Sequence, residues 1–263
     1  MVVSQVVPRS ADLEFALAVT REAGDIALKY FRAGVSATMK ADNTHVTIAD
    51  TECESFIRRR ISEEFPEDDI LGEEEGLTAK EKGSSRKWII DPIDGTYNFQ
   101  RYIPFFSTLL ALEENGEITV GIVNAPAMDE IFWAERGGGS FRNGERISVS
   151  TISKIEEAQF GFGAPSRILS QGYWEGLTRI IAATYRQRAF GDYLNFAHVF
   201  YGKSEAALEV GLKPWDLAPM KIIAEEAGGS FSDLNGGTSI YDGSCLITNG
   251  ILHEQLLRML LSN

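Results

Sequence analysis

The chain has 263 residues, of which 44% are hydrophobic and 10% aromatic, enough apolar material to exclude a disordered or fibrous protein. Its 25 Lys and Arg against 38 Asp and Glu leave a net charge of -13, which disfavours nucleic-acid and anionic-membrane partners, since both call for a basic face. Acidity does not exclude a small phosphorylated ligand, because bound divalent cations reverse the sign of the potential inside an acidic pocket.

Two cysteines, Cys53 and Cys245, are too few for a disulfide framework and point to a reducing compartment. Met1 to Val7 is short and lacks a basic leader, so no secretory signal is expected. No stretch approaches the ~18 to 20 apolar residues of a membrane span. A soluble, cytoplasmic protein is the expectation.

In chain order, Ser10 is a candidate N-cap for an amphipathic helix carrying Leu13, Leu17, Leu28 and Phe31 and closed by Gly34. A second helix follows Asp50, with Phe56, Ile57, Ile61 and Phe65 on one face and Arg58, Arg59 and Arg60 outward, ending before Pro66. Lys87 to Ile90 reads as a buried strand that stops at Asp91-Pro92. Ser107 to Glu113 and Glu117 to Val123 form a hairpin around Asn115-Gly116, and Glu130 to Glu135 adds a further strand. Residues 1–150 thus read as an N-terminal α+β lobe with an antiparallel sheet. Residues 151–263 read as a C-terminal α/β lobe: strands at Ala158 to Phe162, Glu205 to Val210 and Cys245 to Thr248, helices near Tyr173 to Tyr185 and Leu194 to Tyr201, and a terminal helix from Ile251 to Leu261. Another helix opens at Pro214-Trp215-Asp216 and closes at Gly228-Gly229, with Pro219 placed in its first turn, where amide donors lack partners anyway.

The chemistry concentrates in Asp91-Pro92-Ile93-Asp94-Gly95-Thr96. Two carboxylates following a buried strand are costly to bury unless cations neutralise them, and hard cations such as Mg²⁺ do so with oxygen ligands alone. The Ile93 carbonyl is a further oxygen ligand, and Gly95 with Thr96 presents free amides to an anion. An Asx-rich turn without metal is the alternative. Glu73 to Glu75 offers an inward glutamate or, alternatively, a solvated loop; Asp216 offers a ligand or a helix cap. His45, His198 and His253 serve no nucleophile-elbow motif, and Walker, dinucleotide and Cys-His zinc patterns are absent from the sequence.

Taken together, these segments resemble the inositol monophosphatase superfamily of metal-dependent phosphomonoesterases over nearly the whole chain. One signature matches Trp88 to Phe99 and a second matches Pro214-Trp215-Asp216 through Gly229; Gly72-Glu73-Glu74, Lys40-Ala41-Asp42 and Val46 to Asp50 match further family segments. The resemblance implies a layered α-β-α-β-α sandwich, usually a homodimer. It implies that Glu73, Asp91, the Ile93 carbonyl, Asp94 and Asp216 hold two or three Mg²⁺ ions, with Mn²⁺ able to replace them. It assigns water activation to Glu73 and Thr96, supported by Asp50, without a phosphoenzyme. Asp94, Gly95, Thr96, Arg188, Asp192 and Glu209 are the implied substrate contacts.

Within the superfamily, Gly191-Asp192 looks like the histidinol-phosphate branch, where inositol monophosphatases carry a small residue. A carboxylate there suits the ammonium and imidazole of histidinol phosphate, and Asp192 read blandly is an N-cap. Tyr97 and Phe160 to Gly163 depart from that branch, and Glu209 is common to both. The expected function is therefore histidinol-phosphate hydrolysis, with inositol-1-phosphate hydrolysis, or a non-catalytic regulatory role known among bacterial members, as alternatives.

Overall fold

The computed structural model describes residues 9–34, 38–39, 45–81 and 83–262, with the backbone alone at 38, 39 and 45. Lys40, Ala41 and Asp42 lie outside the described residues. The elements run α1 (Ala11–Ala33), β1 (Thr38–Met39), β2 (His45–Val46), α2 (Ile48–Glu64), β3 (Asp69–Gly72), β4 (Gly76–Thr78), β5 (Arg86–Asp94), α3 (Thr96–Gln100), β6 (Ser107–Glu114), β7 (Glu117–Ala125), β8 (Glu130–Glu135), β9 (Gly139–Arg142) and β10 (Glu145–Ile147). They continue with β11 (Gln159–Phe162), α4 (Pro165–Ser170), α5 (Trp174–Ala183), β12 (Arg186–Arg188), α6 (Asp192–Phe200), β13 (Ala206–Val210), α7 (Pro214–Glu226), β14 (Ser230–Ser232), β15 (Ser244–Thr248) and α8 (His253–Leu261).

An eight-stranded sheet, β10-β9-β8-β7-β6-β5-β3-β4, and a five-stranded sheet, β12-β11-β13-β15-β14, carry the larger part of the strands. Strand alternation assigns their faces. Trp88 and Ile90 of β5, Leu110 and Leu112 of β6, and Val120 and Ile122 of β7 pack with Leu13, Leu17, Ile57 and Ile61 of α1 and α2. Ile89, Leu109, Ala111 and Val123, on the opposite face, meet Tyr193 to Phe200 of α6 and Leu217 to Ala224 of α7. That middle layer also covers Ala207 of β13 and Cys245 and Ile247 of β15. Leu208, Val210 and Leu246 face outward onto Ile168 of α4, Leu177 and Ile180 of α5 and Leu256 and Leu260 of α8. The layers are helix, sheet, helix, sheet, helix, the sandwich that the resemblance implied.

Asn115 and Gly116 at the β6–β7 turn both have positive φ, 52° and 86°, the left-handed pair that a two-residue hairpin requires. Three expectations need correction. Arg58 does not face outward from α2 but is buried, donating to Glu54 four residues before it. β5 does not stop at Asp91-Pro92 but runs on to Asp94; proline is tolerated because the ladder is already interrupted there by a register shift. Pro219 lies inside α7, beyond its first turn, and the helix sits close against β7. A Cβ at Gly121 would come 2.4 Å from Ile222 Cγ2 and 3.0 Å from Pro219 Cα, so the strand must be bare there.

Candidate active site

Residues three apart on a regular strand point to opposite faces, so an undistorted β5 would send Asp91 into the middle layer and Asp94 toward α1 and α2. The pairing with β6 removes the conflict. Asp91 lies opposite Leu109 and Asp94 opposite Ser107, three steps on one strand against two on the other. This one-residue bulge turns both carboxylates to the same face. The Ser107 hydroxyl donates to Asp94 Oδ2 at 3.2 Å, and the amide of Tyr193, at the start of α6, donates to the same oxygen at 2.8 Å. Asp91 Oδ1 accepts from the Ile93 amide at 3.0 Å.

β3 runs parallel to β5 with Gly72 opposite Ile90, which brings the next residue, Glu73, beside Asp91; its amide donates to the Ile90 carbonyl at 3.2 Å. From the other side, Asp216 sits in the first turn of α7 and accepts from the Lys213 amide through Oδ2 at 2.7 Å. It therefore serves the helix start with one oxygen, as the cap reading supposed, and the pocket as well. Asp91, Asp94 and Asp216 each contribute an oxygen to a cluster in which all three lie within 4.8 Å of one another. Burial holds the Asp91 and Asp94 carboxyls well above their ordinary range, reinforced for Asp91 by Glu73 and Asp216 and for Asp94 by Asp192 and Asp216. Burial likewise raises Asp216 to about 6.

Gly95, in the left-handed conformation at φ 82°, turns the chain from β5 into α3. The Thr96 hydroxyl then lies 3.3 Å from Asp50 Oδ1 and 3.1 Å from the Ile93 carbonyl oxygen, and with one proton it donates to one of them at a time. Asp50 is fully buried at the start of α2, its Oδ2 accepting from the Thr47 amide and hydroxyl, and burial raises it to about 6.

These groups open into a cavity of about 500 Å³ lined by Glu73, Asp91, Ile93, Asp94, Gly95 and Thr96 on one side and by Arg167, Asp192, Glu209, Trp215 and Asp216 on the other. Asp192 is not the N-cap of α6; Gly191 is, and Asp192 follows it with φ 49°, an uncommon conformation for a residue with a side chain. Its carboxylate accepts from Asn98 Nδ2 at 2.6 Å, and burial raises it to about 6 against the opposing pull of Arg167 and Asn98. Glu209 accepts from Asn195 Nδ2 at 3.0 Å and is raised to about 8, chiefly by burial and then by Asp192. The Phe160-Gly161-Phe162-Gly163 run makes room for both partners: a Cβ at Gly163 would lie 2.4 Å from Glu209 Oε1, and one at Gly161 would lie 2.2 Å from Asn195 Oδ1.

Nearly all the expected site residues thus meet in one pocket or, like Asp50, directly behind it. Arg188 does not. It is exposed on the edge strand β12, donates to the neighbouring Gln187 carbonyl at 2.8 Å, and is absent from the pocket lining. Arg167, which the sequence does not single out, lines the cavity from α4, donating to the Gly211 carbonyl at 3.1 Å. A lone arginine after Ala164-Pro165-Ser166 gives no local pattern by which to find it, and Asn195 is equally silent; Asn98 lies within the matched Trp88 to Phe99 segment but has no role assigned there.

No helix among the described residues is long and apolar enough to cross a membrane. The sequence model of the inositol monophosphatase family matches residues 9–262. The chain is 37% identical over 255 residues to a histidinol-phosphatase of Mycobacterium tuberculosis, covering 95% of this chain and 97% of the relative. It is 35% identical over 230 residues to an inositol-1-monophosphatase of Mesorhizobium japonicum, covering 85% of each. The crystal structure of the extragenic suppressor protein suhB from Bartonella henselae superposes with a TM-score of 0.90 at 30% identity, covering 97% of this chain and 100% of that one.

Proposed function

This chain belongs to the inositol monophosphatase family, and from that premise we propose that it hydrolyses a phosphomonoester, histidinol phosphate foremost, in the pocket that the bulged β5 shares with α7. The observation that carries the reading is the convergence of Asp91, Asp94 and Asp216 oxygens within 4.8 Å. The set is all oxygen, buried or half-buried, and forms no ion pair among the described residues, which fits hard divalent cations. Glu73, Asp91, the Ile93 carbonyl, Asp94 and Asp216 would hold them, Mg²⁺ in particular. Bound there, such ions supply charge neutralisation on the phosphoryl oxygens and a lowered pKa for water.

The rest falls to the chain's own groups. When the Thr96 hydroxyl donates to Asp50, its lone pairs are left to accept from a water in the pocket; Glu73, beside Asp91, is the base that takes that water's other proton. The backbone amides of Gly95 and Thr96 would orient the phosphoryl oxygens while the water oxygen bonds to phosphorus in line, the phosphorus–alcohol bond breaks, and the departing alkoxide takes its proton from solvent water.

Selectivity is assigned to Asp192 and Glu209. An ammonium or imidazolium between them would make charge-assisted hydrogen bonds and would draw Glu209 back from about 8 to its ionised form. Their side chains are held by Asn98 and Asn195, so the acceptors are fixed before substrate arrives. The Mesorhizobium relative keeps inositol-1-phosphate as the second reading, since carboxylates also accept from sugar hydroxyls. Steady-state phosphate release from both substrates, with and without Mg²⁺, tests the proposal. A kcat/KM for histidinol phosphate at least about tenfold above that for inositol-1-phosphate is expected; the reverse order selects the second reading, and turnover of neither removes both.

A further inference from the structure

We propose that Glu54, which lies behind the pocket and lines none of it, is a positioning residue that sets the Glu73 carboxylate in register with Thr96. The inference rests on the metal-dependent phosphatase reading above. Asp50, Glu54 and Arg58 follow one another at four-residue steps on α2, so they stand along one helix face, each ~6 Å beyond the last. All three are buried, Glu54 completely. The first holds Thr96. The second turns both oxygens to the segment after β3: the Glu74 amide donates to Oε2 at 2.8 Å and the Glu75 amide to Oε1 at 2.9 Å. Arg58 completes the clamp, donating to Glu54 Oε1 at 2.8 Å, to the Gly76 carbonyl at 2.5 Å and to Thr78 Oγ1 at 3.1 Å.

The backbone is pinned on both sides of Glu73. Its own amide is tied to Ile90 on β5, and the next two amides are tied to Glu54 on α2. Gly72 lies against the same carboxylate, where a Cβ would come 2.3 Å from Glu54 Oε1 and 2.8 Å from Arg58 Nη2. Three successive glutamates repel one another and favour solvent, so a segment that must aim one of them inward needs its direction fixed from outside. Packing α2 on the sheet does not by itself demand a charge, since Ile57 and Ile61 achieve it with apolar side chains. Two converging N–H donors do: an ionised carboxylate offers two acceptor oxygens and no donor, whereas an amide offers one oxygen and sets an NH₂ against the second N–H. Because Asp50 and Glu54 ride on one helix, the two groups assigned to the attacking water are referred to a single rigid element.

The test compares wild type with Glu54→Gln, Glu54→Asp and Gly72→Ala by three readouts: calorimetric titration with Mn²⁺ alone, hydrogen exchange at the Glu74 and Glu75 amides in metal-free protein, and the metal concentration giving half-maximal turnover. Glu54→Gln is expected to weaken Mn²⁺ binding by about 10- to 100-fold, in the range seen when groups that orient metal ligands are removed. It should also speed exchange at both amides and raise the metal requirement more than it lowers kcat at saturating metal. Gly72→Ala, which displaces the same carboxylate from the opposite side, should reproduce these effects, and it decides the matter if Glu54→Gln does not fold. Mn²⁺ affinity within about twofold of wild type in folded variants whose amides exchange faster would overturn the inference while leaving the phosphatase reading intact. Wild-type protein that binds no divalent ion overturns both.

Discussion

At the inner end of the pocket, Asp91, Asp94 and Asp216 crowd their oxygens together, each held by protein donors on one side and facing the others on the second. At the outer end, Asp192 and Glu209 are each matched to an asparagine amide, and burial raises them to about 6 and about 8 against the pull of Arg167, which acts on Asp216 as well. On the proposed function, cations would complete the inner set, and the outer set would accept hydrogen bonds from the organic part of a substrate. On that reading, one pocket would separate the chemistry, assigned to β5 and α7, from recognition, assigned to α4, α6 and β13.

The largest expected effect tests the inner set. Asp91→Asn, Asp94→Asn or Asp216→Asn should each lower kcat/KM by about 10³-fold at fixed Mg²⁺, with the circular dichroism of the fold unchanged. Thermal unfolding of the metal-free variants should be no lower than that of wild type, because like charges have been removed from a buried cluster. Unchanged turnover in any one of the three would take that residue out of the ligand set.

Next in size is the outer set. Asp192→Asn should reduce kcat/KM for histidinol phosphate by about 10- to 100-fold, the worth of a charge-assisted hydrogen bond, while a neutral phosphomonoester changes by less than about threefold. Equal losses on both substrates would make Asp192 structural and erase the contrast between the two ends. Gly163→Ala should act more mildly, raising KM for histidinol phosphate several-fold by pushing Glu209 out of place, with kcat retained.

The smallest effect is on stability. Asp50, Asp192 and Asp216 at about 6 and Glu209 at about 8 bind protons more tightly folded than unfolded, where carboxyls titrate near their ordinary values of 3.8 and 4.5. Their stabilising contribution is complete at low pH and is lost as pH rises through about 6 and then about 8. Metal-free protein should therefore lose several degrees in Tm between about pH 5 and about pH 8, and Mg²⁺ should restore the loss at the upper end. A Tm that rises over this range in the absence of metal would contradict the assigned directions.

Much of this was legible in the residues. The strand-like runs Ser107 to Glu113 and Glu117 to Val123 and the Asn115-Gly116 turn are local signals, and the structure follows them, with the strands ending at Glu114 and Ala125. β3 and β4 were not, because four and three residues carry too little periodicity to separate a strand from an acidic loop. Arg188, a substrate contact implied by the resemblance, lies instead on the edge strand β12, which pairs with β11.

The sequence by itself determined which residues bear charge, where the longer strands and helices lie, and that Asp91 and Asp94 flank a proline at the end of a buried run. It determined these because caps, turns and strand alternation act over a few residues. Only the tertiary structure decided that both aspartates face one way, how Asp216, which the resemblance grouped with them, reaches them from more than a hundred residues on, that Arg167 lines the same pocket, and that Glu54 steadies the glutamate segment. Those placements depend on the bulge against β6, the parallel seating of β3 on β5 and the packing of α2 and α7 on opposite faces of one sheet. They are contacts between distant segments, for which no local pattern in the chain carries a mark.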